Sequence, residues 1–179
     1  MPPFGGVRTF DELERLWRAS PAPAATRGPV RLLVARLGGG KHRELERATL
    51  STARGLEGDR WEHGPNPDPD RQLTLMNATV AGLVCNGLPL HLPGDNVLVE
   101  LDLGEDTTPI GTRFRLGTAL VEVTDKPHLG CKKFQARFGD DAMRWVNAKS
   151  LRGRRLRGVN ARVLEDGEVA VGDLAERIP

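Results

Sequence analysis

The sequence predicts a mainly β protein in which a barrel-like, closed sheet carries a few inserted short α-helices. Glycine (21 residues) and proline (13 residues) are frequent in a chain of 179 residues, which favours many turns and short strands over long helices. The pattern gives about seven or eight short strands, and they do not alternate regularly with helices. A doubly wound parallel sheet is therefore not expected, and a closed sheet fits better.

Residues 1–29 are predicted to form an appendage to a domain that spans residues 30–179. Thr9 and Glu12 have the spacing of a capping box, which indicates the start of a helix over residues 9–19. The helix carries one apolar stripe, which consists of Leu13, Leu16 and Trp17. A Pro- and Ala-rich stretch ends the helix, and we expect the appendage to dock on the domain through this stripe.

Strands are predicted where β-branched or alternating apolar residues run between turn signals. These segments are residues 30–36, 45–51, 73–77, 96–103, 112–124 with a turn at Gly117, and 157–173. The last segment is interpreted as a hairpin, because an Asp-Gly turn divides it into two strands. Residues 38–44 and 53–72 are predicted to be loops, and a loop as long as the second is disordered or functional.

Two further helices are predicted within the domain. Residues 77–87 have an N-cap residue in Asn77 and a C-terminal glycine in Gly87. The segment 132–156 has helical character and is expected to break or kink near Gly139. No apolar run is long enough to span a membrane and no secretory signal is recognisable, so we expect a protein of the reducing cytoplasm with two free thiols.

Positive charge is concentrated in one part of the chain. Residues 132–162 contain ten Lys and Arg against two Asp, a net charge of +8, whereas the whole chain carries +2. Such a segment suggests an anionic partner, although a solvated surface explains it as well. Interleaved aromatic residues are missing, so nucleic acid is not the expected partner.

Cys131 is the main candidate for chemistry, because it lies between a Pro-His-Leu-Gly lead and the Lys132-Lys133 pair. A helix N-terminus and nearby cations would lower the pKa of its thiol and make it a nucleophile. His128 is a candidate catalytic partner, and Gly130 would let a ligand approach the backbone closely. The alternative is that Cys131 is a small apolar core residue, which is the interpretation we prefer for Cys85. Zinc is not expected, because no second ligand pair accompanies His128 and Cys131.

Five segments occur in an order that resembles the MOSC domain, which is found at the C-terminal end of molybdenum cofactor sulfurases and in stand-alone bacterial proteins. The resemblance covers roughly residues 30–173. The segments are "GLEGDRW" (55–61), "RQLTLMN" (71–77), "GDNVLVELDL" (94–103), "PIGTRFRLGTALVEVT" (109–124) and "KPHLGC" (126–131).

The resemblance implies a β-barrel-like MOSC fold and a functional cysteine at Cys131. In relatives this thiolate is thought to carry sulfur as a persulfide or to ligate the molybdenum of a pterin cofactor (molybdopterin), for which a soft ligand is suitable. The cofactor-binding positions that follow from the resemblance and from the local chemistry are Gly58, Asp59, Arg71, Gln72, Asn96, Gly130, Lys132, Lys133, Arg154 and Arg157. The arginines would suit a cofactor phosphate.

The sequence also departs from the family pattern. Gly130 stands where many members have proline before the cysteine, and Asp95 stands where glutamate is usual. The pyridoxal-phosphate domain of full sulfurases has no counterpart here, so we expect a separate cysteine-desulfurase-type donor to supply sulfur, and pyridoxal phosphate would belong to that donor. A molybdoenzyme is the expected acceptor, and the chain is expected to be a monomer or homodimer.

Three functions therefore remain open. The first is molybdenum-cofactor binding or sulfur carriage at Cys131. The second is a non-catalytic module that binds an anion, a phosphometabolite or nucleic acid through residues 132–162. The third is thiol-dependent detoxification of N-hydroxylated or electrophilic compounds.

Overall fold

Seven strands close into a barrel, which confirms the predicted fold class. The computed structural model describes residues 6–179, so the first five residues of the predicted appendage lie outside the described residues. The helices are α1 (Phe10–Ala19), α2 (Ala78–Cys85) and α3 (Lys132–Asn147). The strands are β1 (Arg27–Gly38), β2 (Lys41–Leu45), β3 (Arg47–Ser51), β4 (Gly55–Leu56), β5 (Leu73–Asn77), β6 (Val97–Val99), β7 (Arg113–Leu116), β8 (Ala119–Val123), β9 (Val159–Glu165), β10 (Gly167–Ala170) and β11 (Leu174–Ile178).

The barrel runs in the order β1-β11-β7-β8-β9-β5-β6 and returns to β1. Only β5 and β6 pair in parallel, and the other neighbours are antiparallel. The 12 residues of β1 make closure possible, because residues 27–29 pair with β11 and residues 30–33 pair with β6. Closure leaves no free edge at this seam, and buried side chains such as Phe114 and Leu75 fill the interior.

The prediction of a loop over residues 38–44 is wrong for residues 41–44, which belong to strand β2. Gly38, Gly39 and Gly40 have positive φ and form a tight turn, and β2 then pairs with β1 as a hairpin. None of the five β2 residues is fully buried, so the strand carries no apolar alternation by which the sequence could reveal it. The predicted loop over residues 53–72 also contains structure, since it holds β4 and two short 3₁₀ helices.

The predicted hairpin around Asp166-Gly167 is wrong, because β9 and β10 do not pair with each other. Within residues 6–179, β9 pairs with β5 and β8, whereas β10 pairs with β3 in a separate sheet of order β10-β3-β4. The Asp166 carboxylate accepts a hydrogen bond from the Thr52 backbone at 2.7 Å, and the Gly167 backbone packs so closely on Ala119 that a side chain would clash. The turn therefore carries the chain from the barrel to the second sheet, and β11 then returns to close the barrel.

The three helices share a second apolar core on one side of the barrel. The capping box of α1 is confirmed, since the Glu12 N–H donates to Thr9 Oγ1 and the Thr9 N–H donates to Glu12 Oε2. The appendage docks through two of the three residues of its predicted stripe. Leu13 is fully buried and Trp17 packs against the same core, whereas Leu16 does not belong to it. Glu14 adds a polar contact, because it accepts a hydrogen bond from the Trp145 indole N–H at 3.0 Å.

α3 is kinked where the sequence predicts a break, at Gly139, whose φ is 87°. After α3 a 3₁₀ helix (Lys149–Arg154) leads back to the barrel at β9. In the part of the chain that the structure describes, the search for a helix of membrane-spanning length and apolarity finds none.

We predict that Leu13→Ala destabilises the protein by about 2–5 kcal/mol, because it leaves a cavity beneath α1. Leu37→Ala is the matched control, since Leu37 is 46% exposed, and its effect should stay within about 0.5 kcal/mol. The free energies of unfolding come from urea titration. Equal values for the two variants would show that α1 does not pack on the body in solution.

Candidate functional site

The cysteine loop, residues 124–130, connects β8 to α3 and places Cys131 at the N-cap of that helix. Several hydrogen bonds hold the loop to the barrel. Thr124 Oγ1 donates to the Asp70 carbonyl at 2.6 Å, and the Asn160 amide donates to the carbonyls of Lys126 and Pro127 at 3.1 and 3.2 Å. The position of Cys131 is therefore set by β9 and by the 3₁₀ turn before β5.

Gly130 is the residue that the loop needs immediately before the cysteine. Its N–H donates to Asn147 Oδ1 at 2.8 Å, and its carbonyl accepts from Asn147 Nδ2 at 3.1 Å. A Cβ on Gly130 would lie 2.8 Å from Met143 Sδ and 3.1 Å from a Val146 methyl, so a larger residue would displace the end of α3. Asn147, at the C-terminal end of α3, thus clamps the chain directly before Cys131. The sequence contains no signal that marks Asn147 for this role.

The two cysteines have opposite environments. Cys131 is exposed and Cys85 is buried, and both are free thiols. Partial burial by itself would raise the pKa of the Cys131 thiol, but the backbone N–H groups of Phe134 and Lys133, and then the charges of Arg157 and Lys133, outweigh it and lower that pKa. These N–H groups favour the negative charge on the sulfur, although neither forms a capping hydrogen bond of standard geometry with the Cys131 side chain. Burial raises the pKa of the Cys85 thiol to about 12.

A buried carboxylate, Asp95, joins the cysteine loop to the barrel. It accepts a hydrogen bond from His128 Nε2 at 2.7 Å through one oxygen and forms an ion pair with the Arg157 guanidinium through the other. The Asp95 side chain has no exposed surface, and that of Arg157 is 6% exposed. Arg157 also donates to the Pro93 carbonyl at 2.9 Å, and its guanidinium lies 5.1 Å from the centre of the Phe134 ring in the first turn of α3.

The protonation states in this cluster follow from its charges. Burial would raise the pKa of Asp95, but Arg157 and His128 outweigh that effect, and the pKa lies well below its usual range. Burial, followed by the positive charge of Arg157, lowers the pKa of His128 despite the nearby carboxylate. At neutral pH Asp95 is therefore ionised and His128 is neutral. The proton of His128 must lie on Nε2, where the carboxylate accepts it, and Nδ1 keeps its lone pair.

Beside the loop lies a cleft of about 310 Å³, lined by residues 124–129, 146–148 and 157–159 together with Glu105, Ile110, Arg152 and Arg155. His128 lines this cleft, and its Nδ1 is neither hydrogen-bonded to the described chain nor sealed from solvent. Cys131 does not line the cleft and follows two residues after Leu129, which does. The structure thus brings His128, Gly130, Cys131 and Arg157 into one region.

Asp59 and Asn96, two predicted cofactor-binding residues, lie in a buried network on the barrel. Asp59 forms a bidentate ion pair with Arg36 and accepts hydrogen bonds from the N–H groups of Arg36 and Trp61. Asn96 donates to Asp59 Oδ1 at 3.0 Å and to the Val34 carbonyl at 3.1 Å, and its own oxygen accepts from the Thr74 N–H. These contacts occupy the lone pairs of Asp59 with protein donors.

Gln72, Gly58 and Arg71 lie at three different places. Gln72 is buried and bridges two strands, since it donates to the Thr52 carbonyl and accepts from the Val163 N–H, both at 2.8 Å. Gly58 has a φ of 86°, which favours glycine for conformational reasons. Arg71 is close to the cysteine loop, because its Nη1 lies 3.4 Å from the Pro127 carbonyl.

Most cationic side chains of the basic segment 132–162 have a hydrogen-bond or ion-pair partner within residues 6–179. Arg154, a predicted cofactor-binding residue, binds both oxygens of Glu14 at 2.9 Å and so holds α1 in place. Further side chains with partners are Arg137, Arg144, Arg155, Arg157 and Arg162. Within residues 6–179 the cations of this segment without a hydrogen bond or ion pair are Lys132, Lys133, Lys149 and Arg152. The first two lie on the exposed first turn of α3, next to Cys131.

Sequence reasoning did not name Asp95 as a site residue, although it noted that Asp95 stands where glutamate is usual. The signal was its place in "GDN" beside Asn96. Among residues 6–179 no group of three or more His, Cys, Asp or Glu side chains is arranged to hold a metal ion.

Comparisons with known proteins support one family and one fold. The family model described as "MOSC domain" matches residues 69–176, more than half of the chain. No curated protein matches the sequence. Similar solved structures include one titled as a hypothetical protein (23% identity, TM-score 0.62, covering 86% of this chain and 69% of that one). Others are YiiM from Escherichia coli (23%, 0.57, 86% and 70%) and YuaD from Bacillus subtilis (18%, 0.60, 84% and 95%).

We predict that iodoacetamide alkylates Cys131 selectively, because the thiolate is the reactive form and only Cys131 is exposed with a lowered pKa. The rate should rise with pH and reach half its maximum below the value for a free cysteine peptide, about 8.5. Peptide mass mapping across a pH series measures both thiols. Alkylation of Cys85 in the native protein at a comparable rate would contradict this assignment.

A second prediction concerns Asp95→Asn, which leaves the buried Arg157 without its counter-charge and should cost about 3–5 kcal/mol of unfolding free energy. Since folding lowers the pKa of Asp95, its contribution is present above the unfolded-state pKa and is lost as pH falls through the folded-state value. The difference between wild type and variant should therefore be largest above about pH 5 and shrink below about pH 4. Urea titrations at several pH values measure it. Asp125→Asn, at an exposed ion pair, should change stability by less than about 1 kcal/mol at any pH.

Proposed function

The chain belongs to the MOSC domain family, and on that premise we propose that it acts through the thiolate of Cys131, which carries sulfur as a persulfide. Ligation of molybdenum in a pterin cofactor by the same thiolate is the second candidate. The observation that carries the proposal is an exposed thiol with a lowered pKa at the N-terminus of α3. Such a thiol is present as thiolate in a larger fraction near neutral pH, whereas the buried Cys85 remains protonated.

Sulfur carriage needs a donor that is itself a persulfide, such as the cysteine-desulfurase-type protein expected from the family. The Cys131 thiolate attacks the outer sulfur of the donor persulfide, and a new S–S bond forms as the donor bond breaks. The donor sulfur leaves as a thiolate with the bond electrons, and the outer sulfur keeps its hydrogen. The step is therefore balanced without an oxidant. The first-turn N–H groups of α3, which favour negative charge at Cys131, also favour the terminal sulfur of a persulfide anion.

Two exposed lysines support an encounter with an acidic donor. Lys132 and Lys133 follow Cys131 on the first turn of α3 and have no ion-pair partner within residues 6–179. Exposed charges of this kind accelerate association with a protein of opposite charge and do so less at high ionic strength. Because the chemistry requires a reduced thiol, we propose that the protein works in the cytoplasm.

The second candidate rests on the chemistry of the donor set. A thiolate is a soft ligand that suits molybdenum, and Cys131 is exposed enough to provide one. Lys132, Lys133 and Arg71, all next to the cysteine loop, would hold the phosphate of a pterin cofactor. Such a cofactor, when bound, supplies a redox-active metal. The chain's own residues would bind and orient it, and Gly130 would keep the backbone before the thiolate in one place.

We predict that protein incubated with a cysteine desulfurase and cysteine gains about 32 Da per chain, the mass of one sulfur atom, on the peptide that contains Cys131. The gain should disappear in Cys131→Ser and remain in Cys85→Ser. Intact and peptide mass spectrometry without reductant measures it. If Cys85→Ser loses the adduct equally, or if wild type never acquires it, Cys131 is not a sulfur carrier.

Molybdenum analysis of the same variants tests the second candidate. Metal retained by wild type and Cys85→Ser but lost from Cys131→Ser would support ligation by Cys131. Equal molybdenum content in all three proteins would exclude it.

A further inference from the structure

We propose that the cleft beside the cysteine loop is a binding site for a small organic anion that also carries an N–H or O–H donor. Three features of the cleft point to this ligand class: an exposed apolar surface, one uncompensated positive charge and one fixed hydrogen-bond acceptor. None of the three involves the Cys131 sulfur, so the inference does not depend on sulfur carriage or on molybdenum.

The apolar surface consists of two large side chains that the fold leaves in water. Ile110 is 59% exposed and Leu129 is 53% exposed, and both line the cleft. Val146 and Val159 add apolar wall inside it. A cleft of about 310 Å³ with apolar walls and a few polar groups is typical of small-molecule sites, at the lower end of their usual size. Its apolar part would therefore accept a ring system of about two fused rings.

The charges of the cleft leave one cation without a counter-ion. Asp125 lies 3.7 Å from Lys126, Glu105 lies 3.9 Å from Arg155, and Asp95 binds Arg157. Arg152 also lines the cleft but has no side-chain hydrogen bond or ion pair within residues 6–179. An exposed guanidinium presents a planar fork of donors that matches a carboxylate or a phosphate. Arg152 is thus the group that would select an anionic ligand.

The fixed acceptor is Nδ1 of His128. The ionised Asp95 accepts the hydrogen bond of Nε2 at 2.7 Å, which places the single proton of the neutral ring on that nitrogen. Nδ1 therefore has a lone pair, lies on a residue that lines the cleft and has no partner within the described chain. Because Asp95 is held in turn by Arg157, the ring cannot easily reverse its tautomer. A ligand with an N–H or O–H group would satisfy this acceptor, whereas one without such a donor would leave it unpaired.

The test uses indole-3-acetate, which combines a two-ring body, a carboxylate and one N–H donor. Its matched probe is 1-methylindole-3-acetate, which carries a methyl group in place of the N–H hydrogen and so lacks the donor. Each is titrated into ¹⁵N-labelled full-length protein at neutral pH while amide chemical shifts are followed. For a ligand of this size we expect a dissociation constant of about 1 mM or below. The shifts should centre on the cysteine loop and on residues 146–159.

Four comparisons separate the contributions. The methylated probe should bind about 3- to 10-fold more weakly, since it cannot donate to His128. Arg152→Gln should weaken indole-3-acetate by about 3- to 10-fold, whereas Lys149→Gln, which removes an equal charge nearby but outside the cleft lining, should not. Leu129→Ser should weaken binding, and Leu37→Ser, at an exposed leucine elsewhere, should not. Cys131→Ser should bind both probes as wild type does.

The proposal is overturned if indole-3-acetate causes no saturable shifts, or if the methylated probe binds as tightly. It is overturned equally if the lysine variant weakens binding as much as the arginine variant, since that would indicate only general surface charge. Loss of binding in Cys131→Ser would move the site to the thiol and away from the cleft. Failure of the persulfide experiment, in contrast, would leave every one of these expected results unchanged.

Discussion

The buried carboxylate of Asp95 is the interaction on which the arrangement of the site depends. It connects three segments that are far apart in the chain: its own loop before β6, the cysteine loop through His128, and the start of β9 through Arg157. Removing one partner of a buried ion pair strongly destabilises a folded protein. The Asp95 contacts therefore hold the three segments together as one unit. The position of Cys131 relative to the barrel is therefore a consequence of electrostatics as much as of apolar packing. Gly130 and Asn147 complete the arrangement by fixing the last step of backbone before the thiol.

Asp95 and Asn96, the two residues directly before β6, belong to two different hydrogen-bond networks. Asp95 contacts the cysteine loop, whereas Asn96 joins the barrel network of Asp59 and Arg36. The "GDN" segment thus couples the site to the seam where β1 closes the barrel. The residues around the "GDN" segment therefore form two networks: Asp95, His128 and Arg157 hold the cysteine loop beside the cleft, whereas Asn96, Asp59 and Arg36 lie on the barrel.

The parts of the molecule that the sequence predicted well are those with local physical causes. The capping box of α1, the N-cap of α2 by Asn77 and the kink at Gly139 all follow from neighbouring residues. Long-range choices were less visible. Asp166-Gly167 has the composition of a hairpin turn, but the pairing partner of β10 is β3, more than 100 residues earlier. Likewise, nothing local shows that Arg154 would pair with Glu14 or that Asn147 would clamp Gly130.

The cleft and the Cys131 thiol are adjacent but chemically distinct, and Arg157 influences the groups of both. Arg157 lowers the pKa of Cys131 and of His128, although it is itself neutralised by Asp95 in its immediate surroundings. A neutral histidine beside a thiol that ionises easily is the reverse of a thiolate–imidazolium pair, in which the histidine holds the proton. The backbone N–H groups of the first helical turn and the charges of Arg157 and Lys133 lower the pKa of the Cys131 thiol without a contribution from His128. The lone pair at His128 Nδ1 and the guanidinium of Arg152 are therefore two groups of the cleft, within residues 6–179, that the thiol chemistry does not use.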